Sequence, residues 1–264
     1  MANYTGITGA ARMLEQELVR QGNWLFRWRS YLPFLILPLA ISSFQNSTWF
    51  IDAFGNGVEE AWDIACYGLA LCGLGLRVVI VGFVPAGTSG RNAAKQSATA
   101  LNTTGMYSVV RHPLYFANFI VFVAFILLFK SLLLLLFMGA AYLVYYERIM
   151  MAEEKFLEGK YGARYREWAE TTPAFLPRFF GFVRPALPFS WRSALLREFH
   201  TFFLISAAFA VVEMLEATVL EGESFGQWVT GEPFWAAVFV ISAAVYCTVR
   251  TIKKRTNWLN QAGR

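Results

Sequence analysis

Charge is scarce in this sequence. Among 264 residues there are 23 Lys and Arg, 18 Asp and Glu and 2 His, so charged side chains make up 16%, against about 25% in a soluble domain. That deficit, beside 25 Phe and 9 Trp and a mean hydropathy of +0.43, argues for a bilayer as solvent. Cysteine is rare as well. Cys66, Cys72 and Cys247 lie in apolar runs without metal-ligand or redox spacing, so they read as small buried hydrophobes and no metal site is expected. Also missing are a low-complexity linker, an internal repeat of useful period and a cleavable signal peptide, since the first apolar run begins only near Tyr31. The net charge of +5 is weak evidence for nucleic acid and suits contact with anionic lipid headgroups.

Long apolar runs are what the chain has in place of these features. A spanning helix needs roughly 20 mainly apolar residues, and six segments qualify: about 31–50, 62–84, 113–129, 131–147, 199–220 and 234–252. Only Lys130-Ser131 separates the third from the fourth, which predicts a tight helical hairpin. Pro33 and Pro38 interrupt the first. The expected fold is an all-α polytopic membrane helix bundle of about six transmembrane helices. Basic residues fall on one side: Arg12, Arg20, Arg27 and Arg29, then Arg91, Lys95 and Arg111, then Arg148 to Arg197, then Arg250 to Arg255. The other side receives mainly carboxylates, with Lys130 as its one basic residue. The positive-inside rule then places both termini in the cytoplasm of a multi-pass protein, here of the bacterial inner membrane.

The run from Arg12 to Ser30 is amphipathic: Leu14, Leu18, Leu25 and Trp28 recur at helical spacing with arginines between them. It predicts a helix in the membrane interface, as a plain anchor or as a contributor to substrate selection. The chain thus divides into an interfacial helix (1–30), two spans (31–87), a core segment (88–198), and two last spans with a basic tail (199–264). Arg77, inside the second span, either snorkels to the interface or faces a polar cavity.

Two regions are unlike the rest. Thr88 to Asn118 concentrates Arg91, Asn92, Lys95, Tyr107, Arg111, His112 and Tyr115 before the third span, and Pro113 suits the first turn of that helix. Tyr145 to Arg178 carries Glu147, Glu154 and Glu158 on one helical face, with Glu153 beside them. Gly162 closes that helix, and Pro173 and Pro177 mark an irregular return.

RHPLY, followed some 40 residues later by EEKFLEGKYGARYREW and then by Pro173 and Pro177, resembles the isoprenylcysteine carboxyl methyltransferase family, whose signature extends to phosphatidylethanolamine N-methyltransferases. The resemblance covers Leu101 to Arg178. It implies S-adenosylmethionine as methyl donor, bound in a cytoplasmic pocket roofed by the segment after the last catalytic span. It further implies that Tyr107, Arg111, His112, Pro113 and Tyr115 form the first cofactor motif, and Glu153 and Glu154 the paired acidic motif. Where many members have Gly two residues after the tyrosine, this chain has Ala117, which puts the pocket shape there in question.

The chemistry of these residue types agrees. Glu153 or Glu154 can accept bonds from an ammonium or ribose hydroxyls, Arg111 or His112 can hold a carboxylate, and Tyr107 and Tyr115 offer aromatic faces to adenine or a sulfonium. Arg111, His112 and Glu154 are therefore the candidate catalytic residues. A phosphate or carboxylate acceptor is already nucleophilic, whereas an amine needs a base such as Glu154 or His112. Arg77, Arg91, Asn92 and Lys95 make a cationic neighbourhood that favours an anionic lipid or lipidated acceptor. Two other readings stay open: an NADPH-dependent sterol-type reductase, and a non-catalytic transporter or scaffold drawing on Glu213 and Glu216.

Overall fold

The computed structural model describes residues 4–29, 48–85, 88, 100–178, 180–220, 222–260 and 263. Among them the regular structure is entirely helical. Helices α1 (Tyr4–Trp28), α2 (Thr48–Phe54) and α3 (Asn56–Phe83) lead to a short 3₁₀ turn at Gly105–Ser108. The hairpin α4 (Pro113–Leu127) and α5 (Leu132–Tyr161) follows, then α6 (Ala163–Thr171), α7 (Trp191–Leu215) with a π-helical extension (Glu216–Leu220), α8 (Phe225–Gly231) and α9 (Pro233–Arg255). Most of the first expected span, 31–50, lies outside the described residues, as do Arg91, Asn92 and Lys95.

The helix ends follow local chemistry. Pro113 and Pro233 open α4 and α9 at positions whose N–H would be unpaired anyway. The Ser131 and Ser190 hydroxyls cap α5 and α7 by accepting from Leu134 N and Ser193 N. Gly162, at φ 56°, stops α5 in a left-handed conformation that a side chain would resist.

α3, α5, α7 and α9 are long and apolar enough to cross a membrane; α4 is apolar but shorter, at 15 residues. The expected boundaries differ from these in three places, each with a physical reason. α3 begins six residues earlier than expected, because Glu59 and Asp63 on its first turns find a partner. α5 is one helix of 30 residues, about 45 Å long, so the second span of the hairpin and the acidic region are continuous. α7 begins at Trp191 and carries Arg197 and Glu198 inside the helix.

The core lies between α3, α4, α7 and α9. Tyr67, Phe209 and Trp235 pack ring on ring there, and the Tyr67 hydroxyl shares a 2.8 Å hydrogen bond with Ser206 Oγ. α5 turns Leu132, Leu133, Leu136 and Phe137 outward, as a lipid-facing helix does. Of the cysteines only Cys66 is buried, whereas Cys72 and Cys247 are exposed. This corrects the expectation of three buried thiols, since an apolar residue on a membrane helix can equally well face lipid.

α1 runs antiparallel along the second half of α5. Gly22 makes this possible: a Cβ there would stand 2.0 Å from the Arg148 carbonyl oxygen. Arg148 Nε donates to Gln21 Oε1 at 2.9 Å, and Lys155 Nζ to Glu15 Oε1 at 2.7 Å. One face of the amphipathic helix is thus committed to protein, leaving Met13, Leu14, Trp24 and Trp28 exposed.

Lys130, in the hairpin turn at φ 52°, is the single basic residue expected at its end of the bundle. Its side chain is 1% exposed and lies 2.7 Å from Glu59 Oε1, 3.1 Å from Asp63 Oδ2 and 4.0 Å from Glu216 Oε1. It therefore ties α3 and α7 to the hairpin. Removing one member of a buried ion pair strands the other, at about 3–5 kcal/mol. Lys130→Met is expected to lower the melting temperature of the purified protein markedly, and an unchanged melting temperature would count against this clip.

Candidate functional site

At the end of the bundle away from Lys130, α5 projects beyond α4 and brings Glu153 and Glu154 to the residues preceding Pro113. His112 is buried, as the N-cap of α4. Its Nε2 lies 3.1 Å from Glu154 Oε1 and its Nδ1 3.5 Å from Glu153 Oε2. Both ring nitrogens therefore face carboxylates, an arrangement served best by the doubly protonated imidazolium. Burial opposes that charge, but the two glutamates outweigh it and hold the His112 pKa above its ordinary value.

The neighbours complete the wall. Tyr115 stacks on His112, centroids 5.5 Å apart and planes within 16°, and donates to Glu153 Oε1 at 2.6 Å. Arg111 Nε lies 2.9 Å from Glu154 Oε1. Its N–H direction misses that carboxylate, so the atom is buried without a hydrogen-bond acceptor. Arg111 Nη1 instead donates to the Ala169 carbonyl at 2.7 Å.

α6 and the return after it close the site from above. Trp168 Nε1 donates to the Tyr107 carbonyl at 2.9 Å. The Arg111 and His112 N–H groups donate to the carbonyls of Pro173 and Ala174 at 2.8 and 3.1 Å, and Arg178 N donates to Val109 at 2.9 Å. The Val109 carbonyl and the Arg111 and His112 N–H groups thus find their backbone partners in the roof, which fixes their distance from α5. The Tyr165 hydroxyl points into this region buried, with no hydrogen bond of acceptable geometry.

Beneath the roof is a cavity of about 360 Å³, bordered by Tyr107, Arg111, His112, Pro113, Tyr115 and Glu153. All the motif residues expected from the sequence therefore meet in one place, with Glu154 behind Arg111 and His112. Arg77 borders the same cavity instead of snorkelling away from it. Its Nε and Nη2 fork onto Glu198 Oε2 and Oε1 at 2.7 and 2.9 Å, and its Nη1 donates to Asn118 Oδ1. Glu147 and Glu158 do not join the site: Glu147 is largely exposed near Arg148, and Glu158 meets Arg166 at 3.4 Å. Ala117 is fully buried and faces Gly73 of α3. It bears on helix packing and does not border the cavity.

Sequence reasoning missed several residues that line the cavity. Arg197 and Glu198 of α7 do so, as do Phe26 of α1 and Arg29 just after it. A signal for Glu198 existed, since an ionisable residue in an apolar helix is a functional candidate by default. Starting that span at residue 199 hid it. For Phe26 and Arg29 there was no comparable signal, because helical spacing does not reveal which face meets α5.

With this geometry in place, comparison with known proteins finds a family resemblance over part of the chain. Residues 64–164 match the model of the phospholipid methyltransferase family, which bears out the resemblance carried by the RHPLY and EE motifs. Among curated proteins, the nickel-cobalt-cadmium resistance protein NccN of Alcaligenes xylosoxydans xylosoxydans is 30% identical over 120 residues, 46% of this chain and 56% of that one. The cobalt-zinc-cadmium resistance protein CzcN of Cupriavidus metallidurans is 28% identical over 172 residues, 64% of this chain and 70% of that one. The chain thus spans little more than half of the first relative's length. No solved structure matches.

The charge state of His112 is open to direct test. Because its pKa is raised, its contribution to stability is fully present below the unfolded value of about 6.5 and is lost as pH rises through the elevated folded value. NMR titration of the imidazoles, with His200 removed as His200→Gln, should show a pKa above 6.5. Glu153→Gln with Glu154→Gln leaves burial unopposed and should take it below 6.5. A value that ignores both substitutions would refute the bracketing geometry.

Proposed function

We propose, for a chain whose residues 64–164 match the phospholipid methyltransferase family, that it transfers a methyl group from S-adenosylmethionine to an anionic phosphate or carboxylate of a membrane lipid or lipidated substrate. The observation that carries this reading is the roofed cavity of about 360 Å³, a volume within the usual range of small-molecule sites, about 300–1,000 Å³. Glu153, Arg111, His112, Tyr107 and Tyr115 border it, and Glu154 contacts Arg111 and His112 from behind.

The residues fit the donor. Arg111 Nε and the Tyr165 hydroxyl are buried beside Glu154 without a well-directed hydrogen bond, and such groups are costly unless something completes them. A carboxylate from the ligand would do so at Arg111, with His112 beside it. Glu153 and Glu154 would take the ammonium or the ribose hydroxyls. Tyr107 and Tyr115 would flank the cationic and aromatic parts. S-adenosylmethionine supplies a methyl group activated by a sulfonium. What the protein contributes is alignment, charge placement and exclusion of water by α6 and the 172–178 return. The carboxylate pair also disfavours the nicotinamide reading, because it would repel the additional phosphate of NADPH.

By charge placement the site end lies at the cytoplasmic face of a bacterial inner membrane. The two relatives are named for resistance to metal cations. Among the described residues no group of His, Cys, Asp and Glu is arranged to hold a metal ion. Methylating an anionic headgroup removes a negative charge, and with it some attraction for cations at the membrane surface.

Calorimetric titration in detergent should show saturable binding of S-adenosylmethionine. His112→Ala and Glu154→Ala should each weaken it about 10- to 100-fold, as expected for losing a charge-assisted hydrogen bond. Full binding by both variants would remove the site assignment.

A further inference from the structure

α7 lies wholly outside the family segment 64–164, yet it builds one end of the cavity. Glu198 is 4% exposed, and a carboxylate so placed needs a partner. The fork from Arg77 supplies it. Together with the bond to Asn118, this engages three of the five guanidinium N–H groups. Arg77 borders the cavity, so the groups left over are the ones a ligand there can meet. Arg197, the residue before Glu198, borders the same cavity.

The two ends of the cavity differ in their charges. At one, Glu153 on α5 stands among Arg111 and His112, with Glu154 behind them. At the other, Arg77 on α3 and Arg197 on α7 stand with Glu198. Tyr107 stands between the two ends: burial and Glu153 push its hydroxyl pKa up, while Arg197 and Arg77 pull it back. A donor carrying both an amino-acid zwitterion and a sulfonium suits the mixed-charge end and leaves the two arginines of the other end for an anion.

We propose that Arg197 and Arg77, the latter held in place by Glu198, form the acceptor subsite and take the phosphate or carboxylate oxyanion of a membrane lipid. The inference rests on the methyltransferase reading for its chemistry. In that reaction the acceptor oxygen, already deprotonated, forms a bond to the methyl carbon as the carbon–sulfur bond breaks. The electron pair of the broken bond stays on sulfur, which becomes a neutral thioether. The acceptor loses one negative charge and no proton moves, so the subsite needs no base. Neutralising the acceptor also weakens its hold on Arg77 and Arg197, which favours release of the methylated lipid. Glu198 is a positioning residue here, acting through Arg77.

The test uses the full chain in mixed micelles with dioleoyl phosphatidic acid, oleate or neutral dioleoylglycerol. It reads thermal stabilisation against lipid mole fraction, and donor affinity separately by calorimetry. At least one anionic lipid should stabilise the protein saturably and dioleoylglycerol should not; the phosphate and carboxylate arms identify which oxyanion is preferred. Arg197→Gln should raise the anionic-lipid midpoint about tenfold, the scale of one lost charge-assisted contact. Glu198→Gln should do the same and Glu198→Asp should recover part of it, with donor affinity unchanged in all three. Because Glu198→Gln strands a buried arginine and can unfold the protein, Arg197→Gln is the decisive variant. An unchanged midpoint in Arg197→Gln, or no anionic-lipid binding by a protein that does bind donor, overturns the subsite. A protein that binds no donor yet keeps Arg197-dependent lipid binding overturns the methyltransferase reading and leaves the anion subsite standing.

Discussion

An ionised side chain inside an apolar helix bundle loses most of its hydration, and only an opposite charge at contact distance compensates for that loss. Three such compensations organise this protein. Lys130 meets Glu59 and Asp63 at one end of the bundle. Arg77 meets Glu198 across α3 and α7. His112 and Arg111 meet Glu153 and Glu154 across the α4–α5 hairpin. Hydrophobic contact alone would allow these helices to slide and rotate against one another in lipid, where apolar surface is no worse off outside than inside. The charged contacts fix register.

The three pairs are not equivalent. Lys130 is sealed, with its side chain 1% exposed, so its role is to hold helices together. Glu153 and Glu154 remain about a quarter exposed beside the cavity, where a ligand can exchange with existing contacts. Arg77 is intermediate, saturated on one side by Glu198 and Asn118 and open to the cavity on the other. The bundle is stapled at one end and only partly satisfied at the other, where the cavity lies. Arg111 Nε and the Tyr165 hydroxyl, both buried there without a well-directed hydrogen bond, mark that same place.

Much of this was legible in the sequence. The apolar runs gave the helices, because hydrocarbon leaves backbone groups no partner except one another. The proline at position 113 and the glycine at position 162 marked the ends of two of them. The motif residues around His112 and Glu153 were legible as a group, although some 40 residues apart, because a hairpin of two spans returns the chain to the side it left. What was not legible depended on helix rotation and on where a span begins. Arg197 and Glu198 sit in α7 only because that helix starts at Trp191. Phe26 and Arg29 reach the cavity only because Gly22 lets α1 touch the α5 backbone. Ala117 read as a pocket residue, yet it faces α3. Charge segregation indicated a side for Lys130 but not the burial that makes it a clip.

The central claim is that the cavity positions an activated methyl group against a membrane acceptor. Incubating the purified protein with isotopically labelled S-adenosylmethionine and a total bacterial lipid extract, followed by mass spectrometry of the lipids, tests it most directly. The account predicts a lipid species heavier by one labelled methyl group, with the addition on a phosphate or carboxylate oxygen. A labelled amine would contradict the oxyanion acceptor, and no labelled lipid or protein product at all would contradict catalysis.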